Sequence, residues 1–159
     1  MAIFNEGEYA DKVVARALKL DKRWGSSDRK FVAETIYDIV RWKRLYAEIA
    51  EIKKEPFDRD GIWRMFAVWA TLKGHTLPDW KYFEGTPVRK IKGKFDELSK
   101  DRKFKESIPD WMDEMGVKEL GEAVWSKEIK AQNEPAKVIL RTNTIRTNKE
   151  AHDAFRSQS

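Results

Sequence analysis

The sequence contains no cysteine. Disulfides, thiolate zinc sites, iron–sulfur clusters and a cysteine nucleophile are therefore excluded from the chain. Histidine is nearly as scarce. His75 and His152 stand 77 positions apart, which argues against a zinc site built on imidazole. No apolar run approaches the roughly 18 residues of a membrane-spanning helix. Met1 to Glu8 lack the basic start and apolar stretch of a secretory signal, so a cytoplasmic location is expected. There is no Gly-rich phosphate loop, no Gly-x-Ser-x-Gly, no His-Glu-x-x-His and no convincing Ser/His/Asp arrangement. A complete enzyme active site is not expected.

What is present suits one compact domain, or one domain and the beginning of another. The chain has 159 residues, of which 41% are hydrophobic. That apolar share supports a core and argues against wholesale disorder. The formal net charge is +5, and seven Trp contribute to an aromatic content of 12%. Basic charge with many aromatics fits nucleic-acid binding. It fits equally well a helical core packed on Trp.

Apolar spacing predicts a series of helices. The first runs from about residue 8 to 20, on a stripe of Tyr9, Val13, Ala17 and Leu20. The second runs from a Ser26/Ser27 cap to about residue 52, and its apolar girth makes it the expected central helix of a bundle. The third covers residues 59–73, with Gly74 as a left-handed terminator. Residues 74–87 carry Trp80, Tyr82 and Phe83 and read as an ordered loop. Ser107 is expected to cap a short helix with Pro109 in its first turn and Gly116 at its end. A further helix follows over residues 118–132, with Leu120, Val124 and Ile129 on one side. Residues 137–143 are β-branched and strand-like, and another helix starts at Thr147. A strand and a few helical turns cannot bury their own faces, so the chain is expected to stop just inside a second domain.

The positive charge is local. Residues 89–105 hold eight basic and three acidic residues, an excess of five that equals the net charge of the whole chain. This segment reads either as a phosphate-binding patch or as a solvated face. Ile91, Phe95, Leu98 and Phe104 within it imply a partly packed element. A second basic group is Arg41, Lys43 and Arg44. Arg41 is expected to pair with a carboxylate such as Asp28 or Glu34, whereas Lys43 and Arg44 are candidate RNA contacts. Trp42, Trp63 and Trp69 lie at helical spacing and are expected in the core. Arg141 and Asn143 read either as strand-end capping or as an RNA-contacting sheet edge.

Three segments carry a family resemblance. Ser27-Asp-Arg-Lys-Phe-Val-Ala-Glu-Thr-Ile-Tyr-Asp-Ile-Val-Arg-Trp resembles the second-helix signature of the NusB-like domain in the RsmB/Sun family. Ser107-Ile-Pro-Asp-Trp-Met-Asp-Glu-Met-Gly resembles that family's Pro-x-Trp segment. Asn133-Glu-Pro-Ala-Lys-Val-Ile-Leu-Arg-Thr-Asn-Thr resembles its entry into the methyltransferase region. The family comprises S-adenosylmethionine-dependent RNA cytosine-C5 methyltransferases that act chiefly on small-subunit ribosomal RNA. The resemblance implies a mainly α, NusB-like helical bundle over residues 1–106. Residues 107–159 would then be linker helices and a short α/β, RRM-like stub.

The catalytic cysteines and cofactor loop of the family have no counterpart in this chain. The expectation is an RNA-binding N-terminal portion, an excised piece or the product of a truncated gene, that binds no cofactor itself. It would position RNA for a catalytic methyltransferase domain, with Lys43, Arg44, Arg89, Lys90, Lys92 and Lys94 on phosphates. The alternative is a helical protein-interaction module with no RNA role, anchored by exposed Trp80, Tyr82 and Phe83.

Overall fold

Capping groups set the boundaries of some of the helices. The computed structural model describes residues 2–53 and 55–134. Its elements are α1 (Ala2–Asn5), α2 (Ala10–Ala17), α3 (Ser26–Arg41), α4 (Lys43–Ile49), α5 (Arg59–Lys73), a 3-10 turn (Lys81–Phe83), α6 (Val88–Leu98), α7 (Arg102–Lys105), α8 (Asp110–Leu120) and α9 (Glu122–Asn133). Among the described residues there is no strand, and the protein is mainly α-helical. No helix among them is long and apolar enough to cross a membrane. The expected strand at 137–143, with Arg141 and Asn143, and the helix from Thr147 lie outside the described residues, as does the α/β stub they were to form.

α5 shows how local chemistry fixes an element. The Asp58 carboxylate accepts the Gly61 amide at 2.6 Å and satisfies one of the orphan donors of the first turn. Gly74 closes the helix at φ 75°, a left-handed conformation that costs glycine little. Six residues of α5 are buried, among them Met65, Val68 and Trp69. α5, not the longer second segment, is therefore the enclosed helix of the bundle. Around it pack Ile39 of α3, Leu45, Tyr46 and Ile49 of α4, and Ile91 of α6. Met65 is fully shielded from solvent. Asp38 ties α3 to α5, accepting from Trp69 Nε1 at 2.9 Å and from Lys73 Nζ at 2.9 Å.

Several expectations are corrected. The helix expected over residues 8–20 spans only Ala10–Ala17, and Tyr9 and Leu20 are exposed at 76% and 80%. The cap of α3 is Gly25, not Ser26 or Ser27, and the Asp28 carboxylate accepts the Gly25 amide at 3.1 Å. The long second helix is two helices, broken at Trp42 (φ −96°, ψ 21°). The break has a tertiary cause. In a continuous helix the Arg44 amide would donate to the Val40 carbonyl. Instead it donates to Ser107 Oγ at 3.1 Å. Ser107 thus holds the kink rather than capping a helix. An inserted side chain of this kind is a recognised origin of helix kinks.

α8 and α9 form a hairpin with a second apolar cluster of Ile108, Trp125 and Ile129. Gly116 does not end α8 but lies inside it. A Cβ on Gly116 would collide with the Trp125 indole, so glycine here is space for the facing helix. Gly121 (φ 76°) makes the turn, and the second helix of the hairpin starts at Glu122. Leu120 and Val124, expected on its packed side, are about half exposed at 47% and 48%.

Candidate nucleic-acid interface

Several of the basic residues named from the sequence have a partner within the fold. At the Trp42 kink, the Arg44 guanidinium lies over the Phe104 ring, 4.6 Å from its centroid. It donates to the Ile108 carbonyl and to the Asp110 carboxylate, the latter at 2.8 Å. Asp110 also receives Lys103 at 3.3 Å, and these cations hold its carboxyl below the ordinary range. Lys43 pairs with Glu55 and stands 5.3 Å from the centre of the Phe57 ring. Arg41 finds no carboxylate of the expected kind. It donates to the Asn133 carbonyl at 2.9 Å, while Glu34 sits 3.7 Å from Lys30 and Asp28 caps its own helix. Asn133 in turn donates to the Glu106 carboxylate at 2.8 Å. Arg41 and Arg44 therefore fasten the α8–α9 hairpin to the bundle.

Arg102 is committed even more fully. It forks onto the Asp113 carboxylate with contacts of 2.8 and 3.1 Å, and reaches Glu122 at 3.3 Å and Ser126 Oγ at 3.0 Å. Trp125 Nε1 donates to the same Asp113 at 2.8 Å. Asp113 is buried, and the Arg102 guanidinium, assisted by the Trp125 N–H, holds its carboxyl below the usual carboxylate value.

α6 is different. Its keel is Ile91, which is buried. Lys90 and Lys94, four positions apart, lie on one flank and both contact Glu51 at 2.8 Å. The two ammonium groups hold the Glu51 carboxyl down at about 2. Arg89 and Lys92, three positions apart, lie on the other flank and are exposed. The basic residues of 89–105 thus do not share one continuous face. Some are ion-paired inward, and Arg89 and Lys92 face solvent.

The approach to α6 carries an aromatic shelf. Trp63 on α5 stacks with Tyr82 at 5.6 Å and meets Trp80 edge-on at 5.8 Å. Trp80 also stacks on Phe83 at 5.8 Å. Aromatic pairs at such spacings contribute beyond their buried area, which fixes the rings in place. Trp80 and Tyr82 remain about half exposed, at 52% and 46%, whereas Phe83 is buried and is not an exposed anchor. Of the tryptophans expected in the core, Trp69 is buried and Trp42 and Trp63 are partly so.

Sequence reasoning missed Glu51, Asp113 and Arg59. Arg59 stands over Tyr82, 5.8 Å from its centroid. A signal for it existed, because Arg59, Ile62, Trp63 and Phe66 recur at helical spacing. No short-range signal marks Glu51 or Asp113, whose cationic partners lie 11 to 43 positions away. Among the described residues, no group of three or more His, Asp or Glu side chains converges to hold a metal ion. No protein-family model, no curated protein and no solved structure matches this sequence.

Proposed function

We propose that this chain is an RNA-binding helical module, the NusB-like N-terminal portion of an RNA cytosine-C5 methyltransferase of the RsmB/Sun type. In this reading it grips RNA, small-subunit ribosomal RNA by the family resemblance, and presents it to a catalytic domain outside residues 1–159. That domain would bind S-adenosylmethionine and carry the thiolate chemistry. The observation that carries the proposal is a succession along the chain of exposed, braced aromatics and of cations unpaired among the described residues. Exposed Trp80 and Tyr82, braced on Trp63, stand just ahead of the helix bearing solvent-facing Arg89 and Lys92.

A base can stack on an exposed indole while the flanking phosphates meet cations, the combination that single-stranded RNA recognition uses. Lys90 and Lys94 would first have to release Glu51, so their contribution is smaller. Lys43 and Arg44 serve the fold in this reading rather than the RNA. The test is RNA affinity as a function of salt. Releasing counterions at each phosphate contact steepens the dependence by about 0.7 per contact on single strands. The double variant Arg89→Glu, Lys92→Glu should bind more weakly with a flatter slope. Unchanged affinity and slope would remove the assignment.

A second reading has an observation of its own, because half-exposed aromatics are also the anchors of protein interfaces. The two separate at Trp80. Trp80→Ala weakens RNA binding in the first reading and leaves it unchanged in the second.

A further inference from the structure

Away from the basic flank of α6, a groove of about 520 Å³ opens between α1, α3 and α5. Its volume lies in the range of binding pockets. Its two long walls are α3 and α5, and residues of α1 with Val13 of α2 close the remainder. α3 contributes Val32, Ile36 and Ile39, and α5 contributes Ile62, Trp63 and Phe66. On α3 the spacing is four and three positions over about two turns, or roughly 11 Å of helix; on α5 Ile62, Trp63 and Phe66 occupy about one turn, and Arg59 extends that wall to the same length at three- and four-residue spacing. The main core does not consume the α3 stripe. Ile39 is the buried α3 residue of that cluster, and Val32 and Ile36 are only partly covered.

Two apolar stripes flanking a groove offer ridges on both sides to a third helix. One charged residue, Arg59, lines the groove, at the α5 end. Its contact is the face of Tyr82, while neighbouring Asp58 is occupied in capping α5. An acidic group on the occupant would complete it. A lone alkyl chain would need neither two matched stripes nor a helical repeat.

We infer that this groove docks an amphipathic helix of a separate partner protein. The helix has at least two turns, an apolar stripe at three- and four-residue spacing, and an Asp or Glu at the end that meets Arg59. Nothing in this inference depends on RNA binding.

The experiment uses the whole chain and fluorescein-labelled synthetic peptides of about fourteen residues, or four turns. One peptide carries the Leu stripe with Glu at both ends, a second carries Lys at both ends, and a third is a scramble of the first. Fluorescence anisotropy should show saturable binding of the Glu peptide, at least about tenfold weaker binding of the Lys peptide, and none of the scramble. Arg59→Glu, at an exposed position, should reverse the preference without altering the fold. Ile36→Lys should abolish binding, with circular dichroism confirming that the variant remains helical. If Ile36→Lys unfolds, the reversal at Arg59 alone decides. Equal binding of the Glu and Lys peptides, binding of the scramble, or no saturable binding of any peptide would overturn the inference. So would saturable decanoate binding in place of peptide binding, or dimers of the chain in sedimentation that Ile36→Lys dissolves.

Discussion

Lys92 and Arg102 are ten positions apart in one basic stretch, yet they have opposite surroundings. Arg102 is ringed by Asp113, Glu122 and Ser126 beneath the α8–α9 hairpin. Lys92 stands in solvent on the outer flank of α6. The same contrast separates Arg44 from Arg89. Arg44 joins the kink to Ile108 and Asp110, and Arg89 faces water. The difference teaches that a local excess of positive charge does not by itself make a patch. What decides is whether a carboxylate or carbonyl from elsewhere in the chain has already taken each cation.

The contrast can be broken most strongly at Asp113. Asp113→Ala leaves the partly buried Arg102 guanidinium without its main partner. Removing one member of a buried pair costs about 3 kcal/mol or more. Urea denaturation should show that loss, and Trp125 fluorescence should report the hairpin. Gly116→Ala attacks the same hairpin by overpacking and should cost about 2 kcal/mol by the same measurement. Arg44→Ala removes charge-assisted bonds that bridge the kink to the hairpin, with an expected loss of about 1.5 kcal/mol. Its RNA affinity should stay within about twofold of the parent, an equivalent of some 0.4 kcal/mol.

Acid sharpens the comparison further. The Asp113 carboxyl is held below its unfolded value, so its stabilising effect is complete above the ordinary carboxylate pKa of about 4. It is lost as pH falls below that value, through the folded pKa. Amides of α8 and α9 should therefore lose hydrogen-exchange protection in acid before those of α5. Glu51→Gln gives the smallest effect. Its carboxyl is solvent-exposed, and surface pairs contribute little. Stability should barely move at neutral pH, and RNA affinity should rise slightly as Lys90 and Lys94 are released.

How much was legible in the sequence followed how local its causes were. α5 and its left-handed terminator could be read from the apolar spacing and Gly74, because its caps, Asp58 and Gly74, adjoin it in the chain. The break at Trp42 could not, because the group that takes the Arg44 amide is Ser107, 63 positions on. Gly116 looked like a helix end because its reason, the Trp125 indole, becomes visible only once α9 folds back. The basic stretch was visible, but its division was not. Glu51 lies 43 positions before Lys94 and Asp113 lies 11 after Arg102, so sequence proximity pointed to neither.

The division between structural cations and solvent-facing cations, to which RNA binding is ascribed in the proposed reading, is tested most directly by one paired titration. RNA affinity is measured across a salt series for Arg89→Ala, Lys92→Ala and, beside it, for Arg44→Ala, with urea stability recorded for both. The double variant should keep its stability and lose affinity, with the salt slope flatter by about 1.4 for two contacts on a single strand. Arg44→Ala should lose stability and keep both affinity and slope. Equal loss of RNA affinity in the two proteins, or an unchanged slope in the double variant, would contradict the division.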